Sequence, residues 1–338
     1  MKEEELIFLI SAPRSGSTYV QRILSNNAQV NTVSEPWILL NFMNQFDPTL
    51  VHTSVNNRLT HEAFQEYLKK AGPVDYTNAF RSFLLELYTP LKGECRYFLD
   101  KTPRYWEIVD EIAEMFPKSK LVVLHRSPLD IAKSMVRTWN LNSLSMINNY
   151  RRDLLFAPKK LEEFCKEHQQ NPQIRCVQYE SLLKNPTEIT ASLYDWLEIP
   201  FHKDSVDIEN NKKHLGTFGD PYQNLETNNT DAVKANNEFL ETDSFHQFLV
   251  GYTHYLGEDY FHRNNFNIPH KTITPTAVFD DFLSQKGLFE FSEYGLEGVL
   301  QLRQKNNQLE RKINRLKDSN SFKLGSILTA PFRIFRSK

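Results

Sequence analysis

Cysteine is scarce in this chain: Cys95, Cys165 and Cys176 are the only three in 338 residues, and no two form a CxxC pair. An odd number cannot all be bridged. That argues against a disulfide scaffold or a zinc ribbon and for a reducing compartment. A surplus of one charge is lacking as well. Forty basic residues meet 42 acidic ones, for a net charge of −2, so no global basic field points to nucleic acid. Long apolar runs are missing. Stretches such as Leu121–Leu124 fall far short of the roughly 20 residues that cross a bilayer. Residues 2–5 read Lys-Glu-Glu-Glu, the wrong charge for the start of a secretory signal. A cytoplasmic setting is therefore expected. Repeats and low-complexity tracts are absent. What is present is ordinary globular usage, 40% hydrophobic and 24% charged. The length suits two domains, or one large α/β domain with appendages.

The first strong signal is Leu6-Ile7-Phe8-Leu9-Ile10, five apolar residues without alternation, as in a strand buried on both faces of a parallel sheet. A polar loop, Ser11 to Ser17, leads into a helix over Thr18–Asn26. Val30–Ser34 reads as a second strand ending at Glu35-Pro36. Residues 37–95 carry helical patterns, His61–Ala71 and Tyr76–Leu87 among them, and suit an insertion covering a site. Further strands are expected at Arg96–Leu99, Lys120–His125 and Ile174–Tyr179, with helices over Arg104–Phe116, Leu129–Trp139 and Thr187–Leu197. Between Phe201 and Pro275 the pattern becomes irregular and suggests loops and short helices. The alternation predicts an α/β fold with a doubly wound, mostly parallel sheet and helices on both faces.

Two loops have the chemistry of anion sites. Pro13-Arg14-Ser15-Gly16-Ser17-Thr18 joins a strand to a helix whose first N–H groups have no carbonyl four residues back. The helix dipole adds positive potential there. Gly16 permits close approach, Ser15, Ser17 and Thr18 add hydroxyls, and Arg14 adds a forked cation. This is not a Walker A loop: the lysine is absent and only one glycine is present. The strand Leu121–Leu124 runs into His125-Arg126 rather than an acid that could hold magnesium. The alternative is a polar turn with a helix cap. The second loop, Arg126 to Ser134, starts at a strand's C-terminal end, where open α/β sheets bind ligands.

These motifs resemble those of sulfotransferases that use PAPS (3′-phosphoadenosine 5′-phosphosulfate). Ala12 to Thr18 looks like the family's 5′-phosphosulfate loop, His125-Arg126-Ser127-Pro128 through Ser134 its 3′-phosphate motif, and Tyr179-Glu180-Ser181-Leu182 the segment usually read Tyr-Glu-Asp-Leu. The likeness covers about residues 5–220 and implies a nucleotide-kinase-like sheet. Arg14 stands where the cytosolic small-molecule branch has Lys, which is more like the carbohydrate and protein-tyrosine branches; the likeness of Gly219-Asp220-Pro221 and of the basic tail to bacterial enzymes suggests a bacterial member. The resemblance implies that Arg14, Ser15, Gly16, Ser17 and Thr18 hold the phosphosulfate, that Arg126 and Ser134 hold the 3′-phosphate, and that Tyr179 lies near the adenine or the 3′-phosphate. Gly219-Asp220-Pro221 resembles a late turn closing over the nucleotide. No metal is required in this scheme.

For the general base the resemblance points to Glu35, since in the glycan and tyrosine branches a Glu follows the first loop at this spacing. The alternative is a structural carboxylate paired with Arg14 or Lys101. Lys101, in Asp100-Lys101-Thr102-Pro103, would neutralise the leaving phosphate or the transferring sulfuryl group. His52, His61 and His125 read as surface or packed histidines.

The chain divides into an enzyme domain over 1–295, a heptad helix over 296–318 and a tail over 319–338. Val299, Leu302, Asn306, Leu309, Ile313 and Leu316 make a heptad seam with Asn at one a position, which favours a parallel homodimer. A helix docked on its own domain is the alternative. Residues 319–338 contain no acid and interleave Lys323, Arg333, Arg336 and Lys338 with apolar residues, as a peripheral anionic membrane contact does. A glycan or glycolipid acceptor at the inner membrane face fits this layout. A P-loop kinase and a non-catalytic binding module are the competing readings.

Overall fold

The strand Leu6–Ser11 (β1) is buried along its whole length, and the fold is assembled around it. The computed structural model describes residues 1–46, 56–71, 75–207, 238–269, 273–284 and 317. By its contacts the chain divides into Met1–Val51 with Arg58–Phe289, and His52–Asn57 with Glu290–Lys338. The sheet and its helices make up the first unit. Apart from Asn56, Asn57 and Lys317, the second lies outside the described residues. So do the expected heptad helix, the basic tail, His52 and Gly219-Asp220-Pro221.

The described strands are β1, Val30–Thr32 (β2), Tyr97–Lys101 (β3), Lys120–His125 (β4) and Ile174–Gln178 (β5). They form one sheet in the order β2-β3-β1-β4-β5, every pairing parallel. Alternation along β1 divides the core in two. Leu6, Phe8 and Ile10 face one layer, where Phe8 packs edge-on against Tyr88 and Tyr105 with ring centroids 6.2 Å apart. Ile7 and Leu9 face the other, against Val20, Ile23 and Leu24 of the helix Ser17–Ser25 (α1). Because both faces are covered, β1 reads as an unbroken apolar run, and the doubly wound arrangement is as expected. The strand order turns at β1, which has β3 on one side and β4 on the other. That switch point opens the crevice in which such sheets bind ligands.

The two long helices described within residues 37–95 are Asn57–Lys70 (α2) and Tyr76–Lys92 (α3), both longer than the sequence suggests. Phe80, Leu84 and Tyr88 recur every four residues on α3 and are buried. The expected helix Arg104–Phe116 is split into a 3-10 stretch, Pro103–Ile108, and a helix, Val109–Met115 (α4). Within the 3-10 stretch the Tyr105 hydroxyl donates to Asp100 and the Trp106 indole to Asp153, and both rings are buried. Pro128–Trp139 (α5) follows β4. Ala157–Glu167 (α6), in a stretch with no assigned element, buries Leu161 and Phe164. After β5 come Tyr179–Lys184 (α7) and Pro186–Trp196 (α8).

The irregular stretch after Phe201 contains a 14-residue helix, Asp243–Leu256 (α9), capped by the Thr242 side chain accepting from the Phe245 N–H. Gly251 blurs its helical signal, yet it is required. A side chain there would collide with Phe279 and Thr276 of the segment packed against it.

The cysteines depart from expectation. Cys165 of α6 and Cys176 of β5 form a disulfide, with Cα atoms 6.1 Å apart; Cys95 is a free thiol. Among the described residues no helix is long and apolar enough to cross a membrane.

Candidate active site

The loop between β1 and α1 turns sharply because two of its residues adopt left-handed backbone, Arg14 at φ 66° and Gly16 at φ 90°. Gly16 is the residue before the first helical turn, so the orphan N–H groups of α1 point back across it. The ring of Tyr179 lies directly on Gly16, where no side chain would fit.

The second loop is knitted into the first. The Arg126 guanidinium donates to the carbonyl of Arg14 at 2.9 Å and lies over the Tyr179 ring at 4.8 Å. Arg14 reaches the Ser134 hydroxyl at 3.5 Å. The Ser127 N–H donates to the Glu180 carboxylate at 2.8 Å, which fixes the start of α5 against the start of α7. The three sequence motifs that follow β1, β4 and β5 thus meet at the C-terminal ends of those strands.

Across the crevice stands Glu35, just beyond β2. Its Oε1 accepts from the Lys101 ammonium at 2.8 Å and its Oε2 from the Trp37 indole at 3.2 Å. The Lys101 side chain is 2% exposed and that of Glu35 15%. Next to Lys101, Asp100 is fully buried and accepts from the hydroxyls of Tyr88, Tyr105 and Thr102 at 2.6, 2.9 and 2.8 Å. Burial pushes the Asp100 carboxyl up to about 6, against the pull of those three donors and of Lys101. The Tyr105 hydroxyl also accepts the Leu39 N–H at 3.0 Å. The chain just after Glu35 is thereby tied to the same buried acid.

Arg14, Gly16, Ser17, Thr18, Glu35, Arg126 and Tyr179 line one cavity of about 360 Å³. Ser15, Lys101 and Ser134 are not in its wall. Ser15 is buried, Lys101 sits behind Glu35, and Ser134 is reached through Arg14. Trp37, Arg104 and Trp139 also line the cavity and were not anticipated. Arg104 directly follows Lys101-Thr102-Pro103, and Trp139 ends the helix that begins after Arg126, so proximity to those motifs was the available signal. Trp139 stacks on Tyr150 at 4.2 Å, and Arg104 pairs with Asp153 at 2.9 Å. His125 is turned away from the cavity. Its Nε2 lies 3.1 Å from the Cys165 sulfur, and burial pulls its pKa down to about 4. Among the described residues, the two clusters with metal-ligating side chains, His125-Cys165-Cys176 and Asp110-Glu167-His168, lie outside the cavity wall.

A model of the sulfotransferase family matches residues 6–203, well over half of the chain. The chain belongs to the sulfotransferase family. The matched range takes in every residue named in the cavity wall. A nodulation protein, NoeE, from Sinorhizobium fredii is 28% identical over 140 residues, which are 41% of this chain and 33% of that protein. The match thus spans about a third of the length of this curated relative. Among solved structures, the sulfotransferase domain from the curacin biosynthetic pathway aligns over 83% of this chain and 98% of its own, at 18% identity and a TM-score of 0.44. A mouse sulfotransferase complexed with PAP aligns over 60% and 61%, at 14% identity and a TM-score of 0.36.

Proposed function

We propose that this sulfotransferase-family chain moves a sulfuryl group from PAPS to an acceptor hydroxyl, giving PAP and a sulfate ester. The observation that carries the reading is one cavity whose wall holds Arg14 and Arg126 of the two loops together with a single carboxylate, Glu35. PAPS supplies the sulfuryl group and leaves as PAP. The residues fit such a ligand. Gly16 lets the Tyr179 ring close onto the helix start, Ser17 and Thr18 offer hydroxyls beside it, and Arg126 brings a second cation from another strand end. Arg14 and the α1 N–H groups hold the charge that builds on the bridging oxygen as its bond to sulfur breaks. Glu35 takes the proton of the attacking hydroxyl. Lys101, committed to Glu35, acts as a positioning residue that fixes the carboxylate's direction rather than touching the sulfuryl group. Ser15 and Ser134 support the loop and Arg14. No divalent ion enters this scheme.

A glycan or glycolipid is the acceptor we favour. Trp37 and Trp139 give the cavity wall broad apolar faces beside the base, and the basic pattern of 319–338 suits presentation at an anionic, cytoplasmic membrane face. The division into domain, heptad helix and tail, with pairing through 299–316, belongs to the same proposal. Against the kinase reading stands Asp100, the acid at the end of β3. Three hydroxyls already occupy its oxygens in the core, which leaves it unfit to hold a phosphate-bound cation.

Calorimetric titration of the full chain with PAP, AMP and ATP, without magnesium, tests the reading. Strong preference for PAP is expected. Equal affinity for AMP, or preference for ATP, would overturn it.

A further inference from the structure

The Cys165–Cys176 bond is asymmetric. Cys176 lies on β5, the edge strand of the sheet, and is exposed; Cys165 lies on α6 and is half-buried. The imidazole of His125 stands 3.1 Å from the inner sulfur, Cys165. Cys176 is therefore the more accessible of the two residues, and the Cys165 sulfur has a proton-exchanging group beside it. Thiol–disulfide exchange needs that combination: access at the attacked sulfur, and help for the sulfur that leaves. A disulfide serving only as a staple needs neither.

We infer that Cys165, Cys176 and His125 form a thiol–disulfide exchange site whose reactant is a small-molecule thiol, or in the reverse direction its disulfide. In the reducing direction a thiolate attacks the Cys176 sulfur. A bond forms between the two, the Cys165–Cys176 bond breaks, and its electron pair passes to the Cys165 sulfur. That sulfur gains a proton delivered through His125. A second thiolate attacks the mixed disulfide, releases Cys176 as a thiol and leaves as the oxidised small molecule. The sum is one protein disulfide and two thiols giving two protein thiols and one external disulfide.

The site lies next to the nucleotide loops along the chain. His125 pairs in register with Gln178, and the residues that follow the two are Arg126 and Tyr179. Those are the partners stacked at 4.8 Å in the cavity wall. The exchange chemistry itself is independent of the reading of that cavity.

The test uses the full chain with Cys95→Ser, oxidised, in reduced glutathione under native conditions, with alkylation and mass spectrometry at timed intervals. Both cysteines are expected to become alkylatable without unfolding. In Cys165→Ser, oxidised glutathione should add to Cys176. His125→Ala should slow the reduction by about tenfold or more, while His125→Gln, which keeps a hydrogen-bonding side chain, should recover part of the rate. Circular dichroism checks that each variant is folded. The parent chain decides the matter alone if a variant is not. A bond that resists glutathione until denaturant unfolds the chain would overturn the inference in favour of a staple. A first adduct on Cys165 would overturn the assignment of the attacked sulfur. Stoichiometric zinc held by the reduced chain and lost in Cys165→Ser would replace it with a metal site.

Discussion

Gly16 is constrained twice, by a left-handed backbone and by the Tyr179 ring lying on it. Gly16→Ala must strain the turn and push the ring away from Arg126. Its affinity for PAP in the same calorimetric titration is expected to fall by tenfold or more, with a lower melting temperature. Glu35 and Lys101 make a sharper pair. Glu35→Ala is expected to cut turnover by a factor of about 10² to 10⁴ while PAP still binds. Lys101→Met leaves the carboxylate without its ammonium in a nearly dry place, and thermal unfolding should register a loss of about 3 kcal/mol. Adding Glu35→Gln to Lys101→Met removes the stranded charge and should restore most of that stability without restoring turnover. A double variant no more stable than the single one would mean that the pair is not what holds this corner.

At the scale of elements, the site is steadied by a junction of three of them. Tyr88 comes from α3, Tyr105 from the 3-10 stretch and Asp100 from the end of β3, and Tyr105 also holds the Leu39 N–H. Tyr105→Phe leaves that buried N–H without its acceptor, at a cost of about 1–3 kcal/mol. It should lower turnover more than PAP affinity, because the segment it releases carries Glu35. Equal effects on both would place the junction's influence elsewhere. The sequence made some elements plain and others not. β1 and β4 were legible because strands buried on both faces read as continuous apolar runs, and the loops after them because each strand passes through a short polar segment straight into a helix, with Gly16 in the first. Glu35 was legible from its place just after β2. The Asp100 junction was not: its hydroxyl donors are scattered over different elements and meet only in the folded core. In α9 Gly251 dilutes the helical pattern, whereas α6 is amphipathic, with Leu161 and Phe164 on its buried face, and its charged residues do not obscure it. The Cys165–Cys176 bond depends on α6 lying against the edge strand, which no local spacing encodes.

For the molecule as a whole, two buried groups pull its acid response in opposite directions. Asp100 is raised to about 6 from an ordinary value of 3.8. The folded chain therefore holds that proton more tightly than the unfolded one. The resulting stability is full below about pH 4 and is lost as the pH rises towards 6. His125 is lowered to about 4 from 6.5. Its contribution is full above about pH 6.5 and is lost as the pH falls towards 4. Between pH 4 and 6 the two nearly cancel. Asp100→Asn keeps the hydrogen-bonding shape but removes one side of the balance. Its melting temperature should fall more steeply than the parent's as the pH is lowered from 6.5 to 4. Parallel curves would mean that Asp100 does not titrate as described. The interlock of Arg14, Gly16, Arg126 and Tyr179 has a further consequence, for anyone who would graft this enzyme's parts onto a cousin. Each of the four rests on another, so no one motif is a transferable module. A chimera that exchanged a single loop would break the stack, whereas one that exchanged all three segments together would carry it across as a block.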